Sequence, residues 1–480
     1  MKKKLIGIFF LAVFYVNYAQ ISEVARENRV KGSPADSIIV EAANRDNLGS
    51  AVVVQNKAEV SQEEQCAVYV LSQNKDESFM TGGYFADPKG NKSLMRKYSQ
   101  DGILDSSFGS QSNGTEIIQL GGRSSAVNDI ITGPNGIIYM AGFSTGKDKF
   151  TDVACAAYNQ EGVLQTSFGN KGKITTAIGT YNDMINAIVM QSDGKLVAAG
   201  YSADGFVVRA VLMRLNSNGS LDSTFGSAGT ILNTEALKSG FNTVALQSDG
   251  KILAAGYSYE SSVNNFYIAR YTTAGVLDDT FGQAGLVTTI FDKRNSVIRD
   301  IKIASDGTII AGGFTTDNMG FTHSVIAAYT PNGNLNKQFG TNGIVKAAVS
   351  KHDDKINMMN IQSDGKIIVV GFTTNLSTTF TDCMMMRFMP DGLLDGTFGN
   401  KGLVITSFGP HDYQMSDVIL QANGKIVVVG YNYNESYYKS VLLRYEINGN
   451  LDMNFGSAVA VVQSTTVEHS PVPSTVTSPA

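Results

Sequence analysis

Residues 229–270 read GTILNTEALKSGFNTVALQSDGKILAAGYSYESSVNNFYIAR, and this stretch decides the fold. GTILNTE, FNTVALQ, KILAAGYS and NFYIAR are short runs rich in β-branched and aromatic residues, separated by turn chemistry, which is the pattern of four strands. Asp249-Gly250 supplies the positive φ of a tight hairpin, so the runs on either side of it must pair. The run after that turn is apolar almost throughout, as are its counterparts KLVAAG (195–200), KIIVVG (366–371) and KIVVVG (425–430). That suits a strand covered on both faces, while the other runs alternate.

Working outward, the same unit recurs along the chain. A Leu-(Asp/Asn/Gln)-x-x-Phe-Gly motif ends at Phe108, Phe168, Phe225, Phe281, Phe339, Phe398 and Phe455, in steps of 56 to 60 residues. A second landmark, Gly followed by an aromatic, falls at Gly83-Tyr84, Gly142-Phe143, Gly200-Tyr201, Gly256-Tyr257, Gly313-Phe314, Gly371-Phe372 and Gly430-Tyr431, in steps of 56 to 59. Two independent landmarks with seven matched copies define seven four-stranded antiparallel meanders. One such sheet cannot bury both faces alone, so the copies stack radially. The expected fold class is therefore all-β, a seven-bladed propeller over residues 66–463. The first copy starts near Cys66 without an obvious leading strand, and AVAVV follows Phe455-Gly456. The expectation is that this C-terminal strand completes the first blade, with AVVV at 51–54 as the competing candidate.

With LDSTFGSAG (221–229), LDDTFGQAG (277–285) and LDGTFGNKG (394–402) combined with QSDGKILAAGYS (247–258) and QSDGKIIVVGFT (362–373), the chain resembles the bacterial delta-60 repeat family. The resemblance covers residues 66–463. It implies a secreted or surface propeller, with no activity attached to the motif.

The flanks set the compartment. Lys2, Lys3 and Lys4 precede an apolar run over 5–16, and Ala19 before Gln20 offers a cleavage point, so 1–19 reads as a signal peptide. Export across the inner membrane, to the periplasm or beyond, is expected. Residues 20–65 carry no clear structural signal, and 464–480 form a Ser/Thr/Pro-rich tail read as disordered. No later stretch is long and apolar enough to cross a bilayer. Losing three lysines moves the net charge from −5 to −8, which argues against nucleic acid. Cys66, Cys155 and Cys383 are odd in number and far apart, fitting neither a disulfide framework nor a zinc site, and read as buried apolar residues. A monomer without metal or cofactor is expected.

Repeated residues read as structural. Asp105, Asp222, Asp278, Asp395 and Asp452 sit where a short side chain bonds backbone N–H groups two or three residues on. The motif Phe plugs between blades. Lys97, Arg214, Arg270, Arg387 and Arg444 occupy equivalent places and read as solvated residues of outer strands, two copies having Ala157 and Ala328 instead.

Candidate chemistry lies in the variable loops. His352-Asp353 and His411-Asp412-Tyr413 share a register, each His thirteen residues before its turn glycine (365 − 352 and 424 − 411). A His-Asp pair on neighbouring loops suits a polar ligand or a metal, although the matching Arg123-Ser124, Leu237-Lys238 and Arg294-Asn295 look like ordinary solvated loop. The Asp/Asn-Gly turns and the Leu-x-x-x-Phe-Gly connections are nearly uniform, so one face of the propeller is scaffold. Function belongs on the other, where GYSYESSVNNF (256–266), GFTTNLSTTFTDC (371–383) and GYNYNESYYKS (430–440) differ and carry Tyr257, Tyr259, Tyr431, Tyr433, Tyr437 and Tyr438. The leading expectation is a binding or scaffolding module for a protein, peptide or glycan, the lack of Trp weakening the glycan. A hydrolase or lyase working on that face is the alternative, for which no nucleophile–His–acid set stands out.

Overall fold

The computed structural model describes residues 66–456, except 206, 237, 410 and 434–437. These residues form seven antiparallel sheets and no helix. The innermost strands, Cys66–Gln73, Ser125–Thr132, Asp183–Met190, Ser239–Leu246, Ser296–Ile303, Asp354–Ile361 and Asp412–Leu420, neighbour one another in a closed ring, the last lying beside the first. This is a seven-bladed propeller. Blades one to six have four strands each, and the seventh has three among the described residues.

The phase of the repeat differs from the sequence reading. Thr230–Leu232, expected to open a copy, pairs with Val207–Leu215 and so finishes the preceding blade as its outer strand. The Phe-Gly-x-x-Gly turn causes this. Gly226, Ala228 and Gly229 all take positive φ, and the chain folds back along the strand it has just left. The first blade accordingly has its own outer strand, Thr115–Ile118, and needs none from the C-terminus. Both AVAVV and AVVV at 51–54 lie outside the described residues.

The Gly-aromatic landmark has a backbone cause. Each innermost strand carries a β-bulge opposite this glycine, as at Ile298/Asp300 opposite Gly313. The bulge presses a carbonyl onto the glycine: a Cβ on Gly313 would lie 2.0 Å from Val297 O, and one on Gly371 1.8 Å from Lys355 O. Only glycine fits. The bulged residue then reaches the next blade. Asn128, Asn186, Asn242 and Asn357 donate to the carbonyls of Ile185, Phe241, Ile298 and Met415 at 2.7 to 2.8 Å.

Between blades, the repeated motif builds a clasp. Asp222, Asp278, Asp395 and Asp452 each accept the N–H two residues on, as expected. Each also pairs with an arginine of the third strand at 2.7 to 2.8 Å: Arg214, Arg270, Arg387 and Arg444. These arginines are buried, which overturns the reading of them as solvated. Their guanidinium groups lie over Phe225, Phe281, Phe398 and Phe455, 4.4 to 4.7 Å from the ring centres. Each then donates to a carbonyl of the next blade, those of Thr273, Pro331, Ile447 and Gln100. Lys195, Lys251, Lys366 and Lys425, just after the hairpin glycine, complete the ion cluster at 2.8 to 3.3 Å.

Blades two and five show that the three charges act as a unit. Where Arg becomes Ala157 or Ala328, Asp becomes Gln165 or Asn336 and Lys becomes Ile137 or Thr308. A buried charge is tolerated only with its partner, so partners are lost together.

The same contacts close the ring. Arg444 donates to Gln100 O and pairs with Asp101, Gly456 N donates to Asp101 O, and Asp417 accepts Leu71 N at 2.7 Å. Phe455 packs with Phe79, Leu94 and Tyr98 of blade one. The three cysteines are free and buried, in separate blades, and burial pushes the Cys155 thiol up to about 12.

Arg387→Ala alone should cost about 3–5 kcal/mol in guanidinium unfolding, because it strands Asp395 beside one lysine. Lys366→Ile/Arg387→Ala/Asp395→Gln, which copies blade two, should stay within about 1–2 kcal/mol of the parent. Equal losses in the two variants would refute the unit.

Candidate ligand-binding face

Strand direction divides the loops between two faces. The Asp/Asn-Gly hairpins and the clasps share one. The hairpins between second and third strands share the other with the crossovers that carry each outer strand into the next blade. The uniform and variable loops thus fall on opposite faces, as the internal comparison of repeats requires.

His352 and Asp353 lie in the crossover between blades five and six. The His352 ring stacks on Phe321 of the blade-five hairpin, centroids 4.7 Å apart. Asp353 Oδ1 accepts from Thr322 N and Oγ1 at 2.9 and 2.8 Å. Asp412 does the same one blade on, accepting from Thr381 N and Oγ1 at 2.9 and 3.3 Å, and Asn182 accepts from Thr151 N at 3.0 Å. The recurrent Asp or Asn therefore ties these crossovers to the hairpin of the preceding blade. His411 is half-buried, its amide donating to Gly409 O. Tyr413 is buried against Phe408, and its hydroxyl donates to Phe408 O at 3.5 Å.

Tyr433 belongs to a cluster at the closing seam. It packs on Tyr438, which meets Tyr431 and, across the seam, Tyr84; Tyr69 bridges Tyr431 and Tyr84. Tyr69 and Tyr84 escape sequence reading because some 350 residues separate them from their partners. Over blades three to six the variable face exposes Tyr181, Tyr259, Ile290 (58%), Met319 (69%) and Leu376. The scaffold face also exposes aliphatics, but chiefly at one repeat position, just after the turn glycine: Ile103, Val163, Val276 and Leu393.

His323 is a third residue that sequence reading misses. Its Nε2 lies 3.3 Å from Asp317 Oδ2, and its Nδ1 lies 3.5 Å from Oδ2 of Asp354, which is wholly buried. Burial disfavours the charged ring, yet Asp354 and Asp317 outweigh it and raise the pKa above 6.5. The ring sits where blade five meets blade six.

The innermost strands carry a second charged group. Asp129 and Asp417 accept Ile188 N and Leu71 N of the next blade, both at 2.7 Å. Asp300 accepts Met359 N of the next blade at 3.1 Å and pairs with Lys302 at 2.7 Å. Burial drives Asp129 and Asp417 up to about 7, against the pull of these backbone donors and of Lys302. Among the described residues, no group of three or more His, Cys, Asp or Glu is arranged to hold a metal ion, and no helix is long and apolar enough to cross a membrane.

These groups fix the pH profile. Asp129, Asp417 and His323 have pKa values raised on folding, so their contribution is full below the unfolded values and is lost as pH climbs through the folded ones. Asp278 runs the other way. Burial opposes its ionisation, but Thr280, Lys251 and Arg270 hold it down at about 2, so its contribution is lost as pH falls below 3.8. Melting temperature should peak at about pH 4 and fall as pH rises toward 7. Asp129→Asn and His323→Gln should each flatten the alkaline limb, and an unchanged limb in both variants would refute the assignment.

Among curated proteins none matches the chain. Solved structures similar to it include Sqt1 from Chaetomium thermophilum (14% identity, 79% of this chain and 95% of that chain covered, TM-score 0.40). The β-propeller domain of the Trilobed protease from Pyrococcus furiosus (10%, 81% and 95%, 0.40) and a PL25 ulvan lyase bound to -[GlcA(1-4)Rha3S]- (11%, 87% and 97%, 0.48) are also similar. The family model described as "Domain of unknown function (DUF5122) beta-propeller" matches residues 191–225, 247–281, 304–339, 362–398 and 421–455. Each match runs from the residue that opens a central hairpin, Gln in four copies and Ala304 in the other, to the Phe of the following clasp, through the residues that hold one blade to the next. The chain therefore belongs to the DUF5122 β-propeller family, the delta-60 type of repeat.

Proposed function

We propose that this propeller is an exported binding module that holds a protein or peptide partner on its variable-loop face. The carrying observation is the arc of exposed Tyr181, Tyr259, Ile290, Met319 and Leu376 over blades three to six, on loops that differ from blade to blade. Aliphatic and Met side chains rimmed by polar loop residues suit a polypeptide better than a sugar, which stacks on broad aromatic faces. His352, held flat on Phe321, lies within this arc, and His411 lies beyond it at the next crossover. Tyr433 marks the edge toward the closing seam. The lysine-led apolar run at 2–16 supports export.

A hydrolase or lyase needs an acid–base group open to substrate on this face. His323, the histidine that carboxylates hold most closely, turns both ring nitrogens to Asp317 and Asp354. Binding is the reading the geometry favours.

Screening the chain from residue 20 against peptide and oligosaccharide pools by thermal shift should give stabilisation with peptides. Met319→Asp/Leu376→Asp should weaken that binding about tenfold or more, while Val276→Asp/Leu393→Asp on the scaffold face should leave it unchanged. Stabilisation by oligosaccharides alone, or equal losses from the two faces, would overturn the proposal.

A further inference from the structure

One member of the ring of bulges has chemistry that the fold does not use. Each innermost strand pairs with its own blade along one edge and turns the other to the axis. The bulged residue is Asn in four blades, and each Asn gives an amide N–H to a carbonyl of the next innermost strand. In blade five the same place holds Arg299. Among the described residues, its guanidinium donates to no protein acceptor and pairs with no carboxylate. The Nε is sealed from solvent without a partner, although the side chain as a whole is only half-buried. A guanidinium is always charged, and a sealed N–H with no acceptor is costly, so this group calls for an acceptor from outside the fold.

The carboxylates of the innermost strands are already engaged. Asp300, next in the chain, accepts Ile301 N and Thr243 Oγ1 on one oxygen and Met359 N and Lys302 Nζ on the other, at 2.7 to 3.1 Å. Asp129 and Asp417, at the equivalent place in blades two and seven, each accept two backbone N–H groups. Meanwhile a second cation stands at the seam of blades five and six. Lys355 is 7% exposed, and its Nζ lies 4.8 Å from the Phe314 ring centre and 5.7 Å from that of Phe372. It directly precedes Ile356, which matches the residues whose carbonyls accept the asparagine bonds elsewhere. On the other side of Arg299, Asn242 Nδ2 lies 2.7 Å from Ile298 O and keeps a second N–H.

We propose that Arg299 anchors an anion site in the axial channel, which takes one carboxylate in a two-pronged bond to the guanidinium, with Lys355 and the Asn242 amide on either side. The planar fork of arginine matches the two oxygens of a carboxylate. A single negative charge suits the channel better than the two of phosphate or sulfate, because Asp129, Asp300 and Asp417 follow the bulge by one residue on their strands and repel added charge. Arg299 lies three residues in from Ser296, where the innermost strand leaves the variable face. That is about 10 Å of strand, so the ligand enters from this face. The site is separate from the exposed arc, and neither reading depends on the other.

The test compares the chain from residue 20 with its Arg299→Asn variant, which copies the bulge of four other blades. Without ligand the variant should melt at or above the parent's temperature, since the asparagine can make the seam bond that Arg299 does not. Calorimetric titration at constant ionic strength uses acetate, propionate and triglycine with its end free or amidated. A free carboxylate should bind the parent saturably, and Arg299→Asn should weaken it about tenfold or more. Arg123→Asn, which removes an exposed charge of the variable face, should leave the affinity unchanged. Binding of the small acids assigns the site to a small molecule, whereas binding of free but not amidated triglycine alone assigns it to a chain end. The proposal is overturned by no saturable carboxylate binding, by equal affinity in parent and Arg299→Asn, by tighter binding of phosphate or sulfate, or by a variant that melts well below the parent.

Discussion

The propeller depends on one contact, an arginine held between an aspartate and a phenylalanine and reaching a carbonyl of the next blade. In water such an ion pair is worth little. Here it is buried, and its value lies in what it organises. The aspartate fixes the turn through the N–H two residues on, the turn seats the phenylalanine, and the arginine carries the register across the seam. Four copies have the same geometry, and Arg444 with Asp452 and Phe455 uses it to bring the seventh blade to the first.

Two of the three seams that lack this contact are held from the inside. Blades two and five have the neutral versions, and at those two seams Asp129 and Asp300 accept the innermost-strand N–H of the next blade. The third such aspartate, Asp417, lies at the closing seam. His323 and its carboxylates also lie between blades five and six. The groups whose charge changes near neutral pH therefore sit at the seams with fewest permanent charges, or at the one where the ring meets itself. The exposed arc of the variable face crosses one of these seams.

Repeat number, strand count and the division of faces were legible because each copy is an internal control for the others. The phase of the repeat was not, since a periodic sequence does not say where its unit begins; the positive φ of Gly226, Ala228 and Gly229 decides that. Arginine is normally exposed, so its burial went unread, although the joint loss of Arg, Asp and Lys in blades two and five was in plain view. At the candidate site, His352 and Asp353 were visible as a matched register. Their contacts with Phe321 and Thr322 were not, because only the stacking of blades brings a crossover against the preceding hairpin. The same holds for Tyr69 and Tyr84, and for the burial of Asp354 behind His323.

The bond from Leu71 to Asp417 spans 346 residues. For a flexible chain the entropic cost of loop closure grows only logarithmically, so joining the ends costs on the order of 1–2 kcal/mol more than joining two neighbouring repeats. One further seam repays that amount easily. Timing is the heavier constraint. Six seams form between neighbours as the polypeptide lengthens, whereas the seventh must wait for the last blade, and until then blade one keeps an open flank of Val68, Leu71 and Phe79. An unfinished chain is thus an arc with apolar surface at each end, able to meet another arc as readily as itself, and the speed of the final closure decides between a monomer and a tangle.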